Sequence, residues 1–325
     1  MKDGILIINK PQWYTSFDVV AKCRKILGTK RIGHTGTLDP MATGVLVLCI
    51  GKATGLVNML TAEDKVYRTT IKLGIETDTA DLTGRITGYI KDGKAYERNN
   101  LDMDNIVDTE KNVQYLSDIA RINYSNNLAF SEDFKFDLTK EQIDEATDMF
   151  IGVQDQVPPM YSSIKIDGRK LYEYAREGED VEVPSREIEI YDICDVKFDG
   201  KNELSYTVHC SKGTYIRTLN EDIAKELGIV GTTMVLERVQ TGDYSLENAY
   251  DLEDISEDAI ISIEELFADR IDLDEKDESK LLNGMNIQVD NEDGIYNIYI
   301  NKKYYGLGEV IEGKLKRFII VEEHS

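Results

Sequence analysis

The chain has 325 residues, of which 41% are hydrophobic and only five are proline. That excludes a disordered protein and gives length enough for two domains. No run of 18 apolar residues occurs, and Met1-Lys2-Asp3-Gly4-Ile5 lacks the apolar stretch of a secretory leader, so a soluble cytoplasmic protein is expected. The formal charge of −23 argues against nucleic acid as a partner, but its distribution weakens that exclusion. Residues 1–85 hold 12 Lys/Arg against 8 Asp/Glu, whereas 86–150 hold 7 against 14 and 251–280 hold 3 against 13. An RNA-binding face within the N-terminal part stays compatible with these numbers. The plain alternative is that the acid runs are solvated surface.

Residues 4–9 read as a short buried strand. Ser16 is expected to cap a helix over Phe17–Leu27, with Val19, Val20, Cys23, Ile26 and Leu27 on one face and Gly28 as its stop. Val45–Ile50 is a β-branched apolar run and reads as a core strand. Lys65–Leu73 alternates with period two, placing Tyr67, Thr69, Ile71 and Leu73 on one face and Val66, Arg68, Thr70 and Lys72 on the other. Residues 89–137 are acidic and rich in Asn, Asp and Tyr, and are expected to be an irregular surface insertion. Thr139 and Gln142 fit a capping box opening a helix to about Phe150. Gln156-Val157-Pro158-Pro159 is expected to be extended. Strands are expected at Ser185–Asp195 and Leu204–Cys210, and a helix at Thr214–Leu227. The domain reading is a catalytic unit over 1–255, an acidic linker over 256–280 and a small β-rich unit over 281–325 packed on the main domain. Cys23, Cys49, Cys194 and Cys210 show no metal-binding or disulfide spacing and read as reduced thiols.

Between the first helix and the Val45 strand lies Gly33-His34-Thr35-Gly36-Thr37-Leu38-Asp39-Pro40-Met41-Ala42-Thr43-Gly44. Its glycines permit positive φ and close backbone approach, and Pro40 restricts Asp39 to an extended conformation. A held carboxylate at the mouth of a core strand suits nucleophilic or general-base chemistry. The same residues also suit a tight loop whose Asp caps a turn.

Read with three further segments, this loop resembles the TruB family of tRNA pseudouridine synthases. The second segment joins Lys65-Val66-Tyr67-Arg68 and Leu73-Gly74 to Thr77-Asp78-Thr79-Ala80-Asp81-Leu82-Thr83-Gly84. The third runs from Phe150-Ile151-Gly152 through Pro158-Pro159-Met160-Tyr161-Ser162-Ser163 to Gly168-Arg169-Lys170-Leu171-Tyr172. The fourth is Ser211-Lys212-Gly213-Thr214-Tyr215-Ile216-Arg217-Thr218-Leu219. The third segment resembles the bacterial, stand-alone branch, so no guide RNA is expected. The resemblance implies an α+β pseudouridine synthase fold, with a mixed, largely antiparallel central sheet and flanking helices. It also implies a small C-terminal domain like a PUA-type RNA-binding barrel, matched at Leu282-Asn283-Gly284 and Tyr305–Val310. The implied activity is isomerisation of uridine 55 in the tRNA T-loop, without a cofactor or metal, by a monomeric enzyme.

By the same resemblance Asp39 is the reactive carboxylate, as nucleophile or as base. Arg217 is its partner, since an arginine favours the charged form of a carboxylate and fixes its position. Tyr67 is a catalytic residue that stacks on the extruded base and whose hydroxyl can serve in removing the proton from the base carbon, Leu236 closes the base pocket, and His34 fills the gap left in the RNA. Lys65, Arg68 and Lys212, with Lys30 and Arg31, are expected to meet phosphates. Lys302, Lys303, Lys314, Lys316 and Arg317 give the C-terminal unit a basic face for the acceptor arm. Two features depart from the family: Trp13 stands where a glycine is usual, and the 89–137 insertion is long. Two rivals are a non-catalytic tRNA-binding or folding protein and a phosphate-binding hydrolase. The first does not need Asp39, Tyr67 and Arg217, and the second lacks a P-loop lysine or a metal cluster.

Overall fold

The computed structural model describes residues 2–97 and 116–321. The N-terminal half contributes β1 (Gly4–Lys10), α1 (Ser16–Leu27), β2 (Ile32–His34), β3 (Thr43–Ile50), α2 (Val57–Thr61) and β4 (Lys65–Leu73). A small three-stranded sheet follows, made of β5 (Ile75–Thr77), β6 (Ile86–Lys91) and β7 (Lys94–Glu97). Next come α3 (Leu116–Phe130), α4 (Lys140–Asp148), β8 (Gly152–Gln156), the hairpin β9 (Lys165–Ile166) and β10 (Arg169–Lys170), and α5 (Leu171–Glu177). The large sheet is completed by β11 (Arg186–Phe198), β12 (Glu203–Cys210), β13 (Gly231–Thr241), β14 (Tyr244–Ser245) and β15 (Ile261–Ser262), with α6 (Ile216–Glu226) crossing from β12 to β13. The C-terminal unit holds β16 (Arg270–Leu273), α7 (Glu275–Leu282), β17 (Ile287–Gln288), β18 (Gly294–Ile300), β19 (Lys303–Ile311) and β20 (Lys314–Ile320).

The large sheet has the order β15-β1-β3-β13-β4-β12-β11-β8, with β2 beside β3 and β14 beside β13. Every pairing in it is antiparallel except β3 with β13, where Glu237 meets Thr43 and Arg238 meets Gly44. The apolar runs of β1 and β3 are continuous because both faces are covered. Leu6, Ile8, Leu46, Leu48 and Ile50 face a core built with α1 and α6. Ile5, Ile7, Val45, Val47 and Cys49 face a second core that includes Leu307 and Ile319 of the C-terminal unit. That unit therefore docks on the back of the large sheet, as its small size requires. Its five strands run β16-β18-β19-β20-β17. Among the described residues, no helix is long and apolar enough to cross a membrane.

Three expectations change. The N-cap of α1 is Thr15, not Ser16: its hydroxyl accepts from the Asp18 N–H, and the Asp18 carboxylate accepts from the Thr15 N–H. Ser16 instead exchanges hydrogen bonds with the backbone of Leu38, tying α1 to the Asp39 loop. Residues 256–280, read as an acidic linker, are structured. They supply β15, α7 and β16, the last of which pairs in parallel with β18. The 89–137 segment is not irregular throughout. Residues 98–115 lie outside the described residues, but 116–130 form α3. Asn127 and Phe134 are buried, and Phe134 joins Ile75 and Leu82 in a satellite core.

Helix α6 pins the sheet through a buried polar network. Asn220 accepts from the Tyr206 hydroxyl at 2.6 Å and donates to Thr69 Oγ1 and Thr233 Oγ1, each at 2.9 Å. The next residue, Glu221, is half-buried beside Glu76 and Asp222. Burial first, then those carboxylates, push its pKa up to about 7. The folded state thus holds this proton more tightly than the unfolded chain, whose pKa is near the ordinary 4.5. Glu221 costs nothing below that value and destabilises the fold progressively as pH rises through about 7. Glu221→Gln is expected to melt above the parent at pH 8, with the gap closing by pH 5. A gap independent of pH would contradict this reading.

Candidate active site

The Asp39 loop is suspended between β2 and β3 and held from below by side chains that do not reach solvent. Gly44 sits at φ +104°, and a Cβ there would lie 2.2 Å from the Arg238 carbonyl oxygen, so β3 meets β13 this closely only with glycine. Arg238 is itself buried. Its Nε donates to the Val45 carbonyl at 2.7 Å and its Nη2 to the Gly36 carbonyl at 3.2 Å. Lys10 is fully buried, with Nζ donating to the carbonyls of Pro11, Tyr14 and Pro40 at 3.0, 2.6 and 3.4 Å. Burial pulls its pKa down to about 7, against the opposing pull of Asp39. The Trp13 N–H donates to the Pro40 carbonyl at 2.7 Å. Trp13 takes φ +72°, a left-handed conformation that costs a non-glycine residue about 1–2 kcal/mol.

Arg217 comes up from the first turn of α6. Its side chain is only 4% exposed, against 31% for Asp39. Nε lies 2.9 Å from Asp39 Oδ2 and Nη2 lies 3.4 Å from Oδ1, so the contact is two-pronged. Nη1 donates to the Thr79 carbonyl at 2.7 Å, and Nη2 also donates to the Tyr161 carbonyl at 2.8 Å. Asp81 Oδ2 stands 3.8 Å from Nη1. Burial opposes the Arg217 charge most, but the Asp39 and Asp81 carboxylates outweigh it and its pKa is raised. Burial raises the Asp81 pKa, while Arg217 and the hydrogen bonds from Thr83 pull it back. Arg217 thus brings together the Asp39 loop, the 77–84 loop and the Pro159–Ser162 turn.

In front of this pair opens a cavity of about 620 Å³. Asp39, Tyr67, Arg217, Leu236 and Lys212 line it. Tyr67 and Leu236 are buried in its wall. Burial raises the Tyr67 phenol above its ordinary pKa, so the hydroxyl stays protonated at neutral pH. Lys212 is exposed at the rim.

Other expected residues are placed differently. Lys65 lines the cavity but is buried; its ammonium donates to the carbonyls of Thr61 and Glu63, and burial lowers its pKa to about 8. That removes it as an exposed phosphate contact. Arg68 points from the opposite face of β4 and pairs with Glu237 at 2.7 Å, away from the cavity. His34 stands on β2 opposite Leu48, one residue before the cavity lining begins at Thr35. Burial lowers its pKa, leaving a neutral ring at pH 7. Arg31 is exposed and donates from Nε to Thr54 Oγ1, and Lys30 is exposed nearby.

Sequence reasoning missed Arg238, Lys10 and Gln156. The Gln156 amide brackets the backbone of Tyr215, donating at 3.1 Å and accepting at 2.8 Å. The available signal for Arg238 was its period-two spacing from Leu236, which puts an arginine on a core-facing strand position. Among the described residues, no cluster of three His, Cys, Asp or Glu side chains is arranged to hold a metal ion.

Comparison with known proteins agrees with this geometry. The profile "TruB family pseudouridylate synthase (N terminal domain)" matches residues 24–114 and 120–216. A tRNA pseudouridine synthase B from Clostridium perfringens is 35% identical over 337 aligned positions, covering 98% of this chain and all of that protein. The protein of the same name from Clostridium novyi is 39% identical, covering 93% and 90% of the two chains. That from Caldanaerobacter subterraneus subsp. tengcongensis is 36% identical, covering 96% of each. Among solved structures, "Crystal Structure of a Cbf5-Nop10-Gar1 Complex" holds a chain that superposes with a TM-score of 0.59 at 21% identity, covering 99% of this chain and 84% of that one. A second, "Structure of H/ACA RNP bound to a substrate RNA containing 2'-deoxyuridine", gives 0.56 at 19%, covering 98% and 84%. At these identities the two structures share the fold. With its profile match, its full-length relatives and the pseudouridine synthase fold, the chain belongs to the TruB family of pseudouridylate synthases.

Proposed function

We propose that this chain converts uridine 55 in the T-loop of tRNA to pseudouridine, with Asp39 as the reactive carboxylate. The observation that carries the reading is the two-pronged Arg217–Asp39 contact at the mouth of the cavity. Family membership and the names of the relatives support the reaction class. In the reaction the bond from sugar C1′ to uracil N1 breaks and the base turns. A bond from C1′ to C5 then forms, and the C5 proton leaves as N1 gains one. The uridine must first leave its stack, at a cost of a few kcal/mol.

Each neighbour has a role consistent with its surroundings. Arg217 fixes the direction of the Asp39 oxygens. They then act either as a nucleophile on the substrate or as a base toward a sugar proton. The neutral Tyr67 ring gives the extruded base a stacking surface, worth roughly 1–3 kcal/mol. Leu236 closes the apolar side. The neutral His34 ring enters the space the uridine leaves, and Lys212 meets a phosphate. The C-terminal unit, with Lys302, Lys314, Lys316 and Arg317 exposed, lies along the acceptor arm. The enzyme works as a cytoplasmic monomer.

Asp39→Asn removes a charge with little change in volume. On an unmodified tRNA transcript, the parent is expected to form pseudouridine at the T-loop position, and Asp39→Asn none, with tRNA affinity nearly unchanged. Product from Asp39→Asn near the parental rate would remove the assignment. Parental binding without product would favour a non-catalytic tRNA-binding role. Affinity is also expected to fall as salt rises despite the net charge of −23, because phosphate contacts release counterions. A flat salt response would argue against a phosphate-tracking face.

A further inference from the structure

The two departures from the family meet in space. Trp13, in its left-handed conformation, packs its ring edge-on against Tyr124 of α3, with centroids 5.5 Å apart and planes at 85°. The Arg121 guanidinium lies over the same Trp13 ring, 5.6 Å from its centroid. The Tyr124 hydroxyl donates to the Met234 carbonyl of β13 at 3.1 Å. One face of α3 therefore braces the residue whose N–H holds the Pro40 carbonyl, next to Asp39.

The same helix also holds the other partner of the catalytic pair. Asn127 is buried, and its amide donates to the carbonyls of Leu82 and Gly84 at 2.9 and 2.8 Å. The Asn123 amide donates to the Thr83 carbonyl at 2.9 Å. These bonds fix the 77–84 loop, whose Thr79 carbonyl and Asp81 carboxylate seat the Arg217 guanidinium. A buried asparagine amide donating to two loop carbonyls is a specific anchor, because its absence leaves both acceptors unpaired.

We propose that α3 is a positioning clamp: through Trp13 and Tyr124 on one side and Asn127 on the other, it sets the relative placement of Asp39 and Arg217. Trp13, Tyr124 and Asn127 stand outside the lining of the cavity, so the clamp acts on the reaction through the catalytic pair. The clamp rests on the reading of Asp39 and Arg217 as the reactive pair.

Its signature is a loss of rate without a loss of binding, since small misplacements of reacting groups are costly. The test is the single-turnover rate of pseudouridine formation at saturating tRNA, beside tRNA affinity. All proteins are full-length and assayed well below their measured melting temperatures. Trp13→Gly removes the ring but suits φ +72°, so it is the truncation least liable to unfold. Trp13→Gly and Asn127→Ala are each expected to slow the step about tenfold or more and to leave affinity within about threefold. Trp13→Phe and Tyr124→Phe keep ring contacts and are expected to stay near the parental rate. Parental rates in Trp13→Gly and Asn127→Ala would overturn the clamp, as would losses confined to affinity. A parent that forms no T-loop pseudouridine would remove the catalytic reading beneath it. An active parent with an inactive Asp39→Asn leaves that reading in place whatever the clamp variants do.

Discussion

Everything near the cavity depends on one buried cation. Removing an arginine from water is expensive, and the expense is offset only where its donors are all met in good geometry. The guanidinium of Arg217 meets Asp39 twice, the Thr79 and Tyr161 carbonyls once each, and Asp81 at longer range. These acceptors come from segments far apart in sequence. The charge therefore orders three loops at once, and Asp39 is oriented as one consequence. The partial exposure of Asp39 leaves it the one carboxylate of the cluster presented to the cavity.

A second buried arginine underlies the first. Arg238 holds the near end of the same loop through the Gly36 and Val45 carbonyls, at the one point where two strands of the large sheet run parallel. The Lys10 amine adds a further buried donor beneath Pro40. The strongly acidic chain thus places two buried arginines around this loop, while its surplus acid lies in residues 86–150 and 251–280.

Much of this was legible in the residues. The double-faced apolar runs of β1 and β3 announced a covered sheet, and the Thr139 capping box opened α4 as its side chains dictate. The same period-two pattern that placed Tyr67 inward also placed Arg68 on the other face, which is why Arg68 is far from the cavity although it neighbours Tyr67 in the chain. Lys65 was harder to place, because a lysine at a strand end reads as exposed, and only the nearby Thr61 and Glu63 carbonyls make its burial tolerable. Helix α3 was hidden for a related reason. Its buried face carries Asn127, whose burial is licensed by loop carbonyls 43 to 45 residues away. No local pattern reports such partners. The positive φ of Trp13 is equally invisible in sequence, since tryptophan is not a residue that advertises it.

The proposed function requires the cavity before Arg217 to receive an extruded uridine within reach of Asp39. The most direct measurement is a crystal structure of Asp39→Asn bound to a T-arm stem-loop of tRNA. The target uridine is expected to be unstacked from its loop, with its base on the Tyr67 ring and beside Leu236, and its sugar against the residue-39 carboxamide. A uridine still stacked in the RNA, or seated away from residue 39, would contradict it.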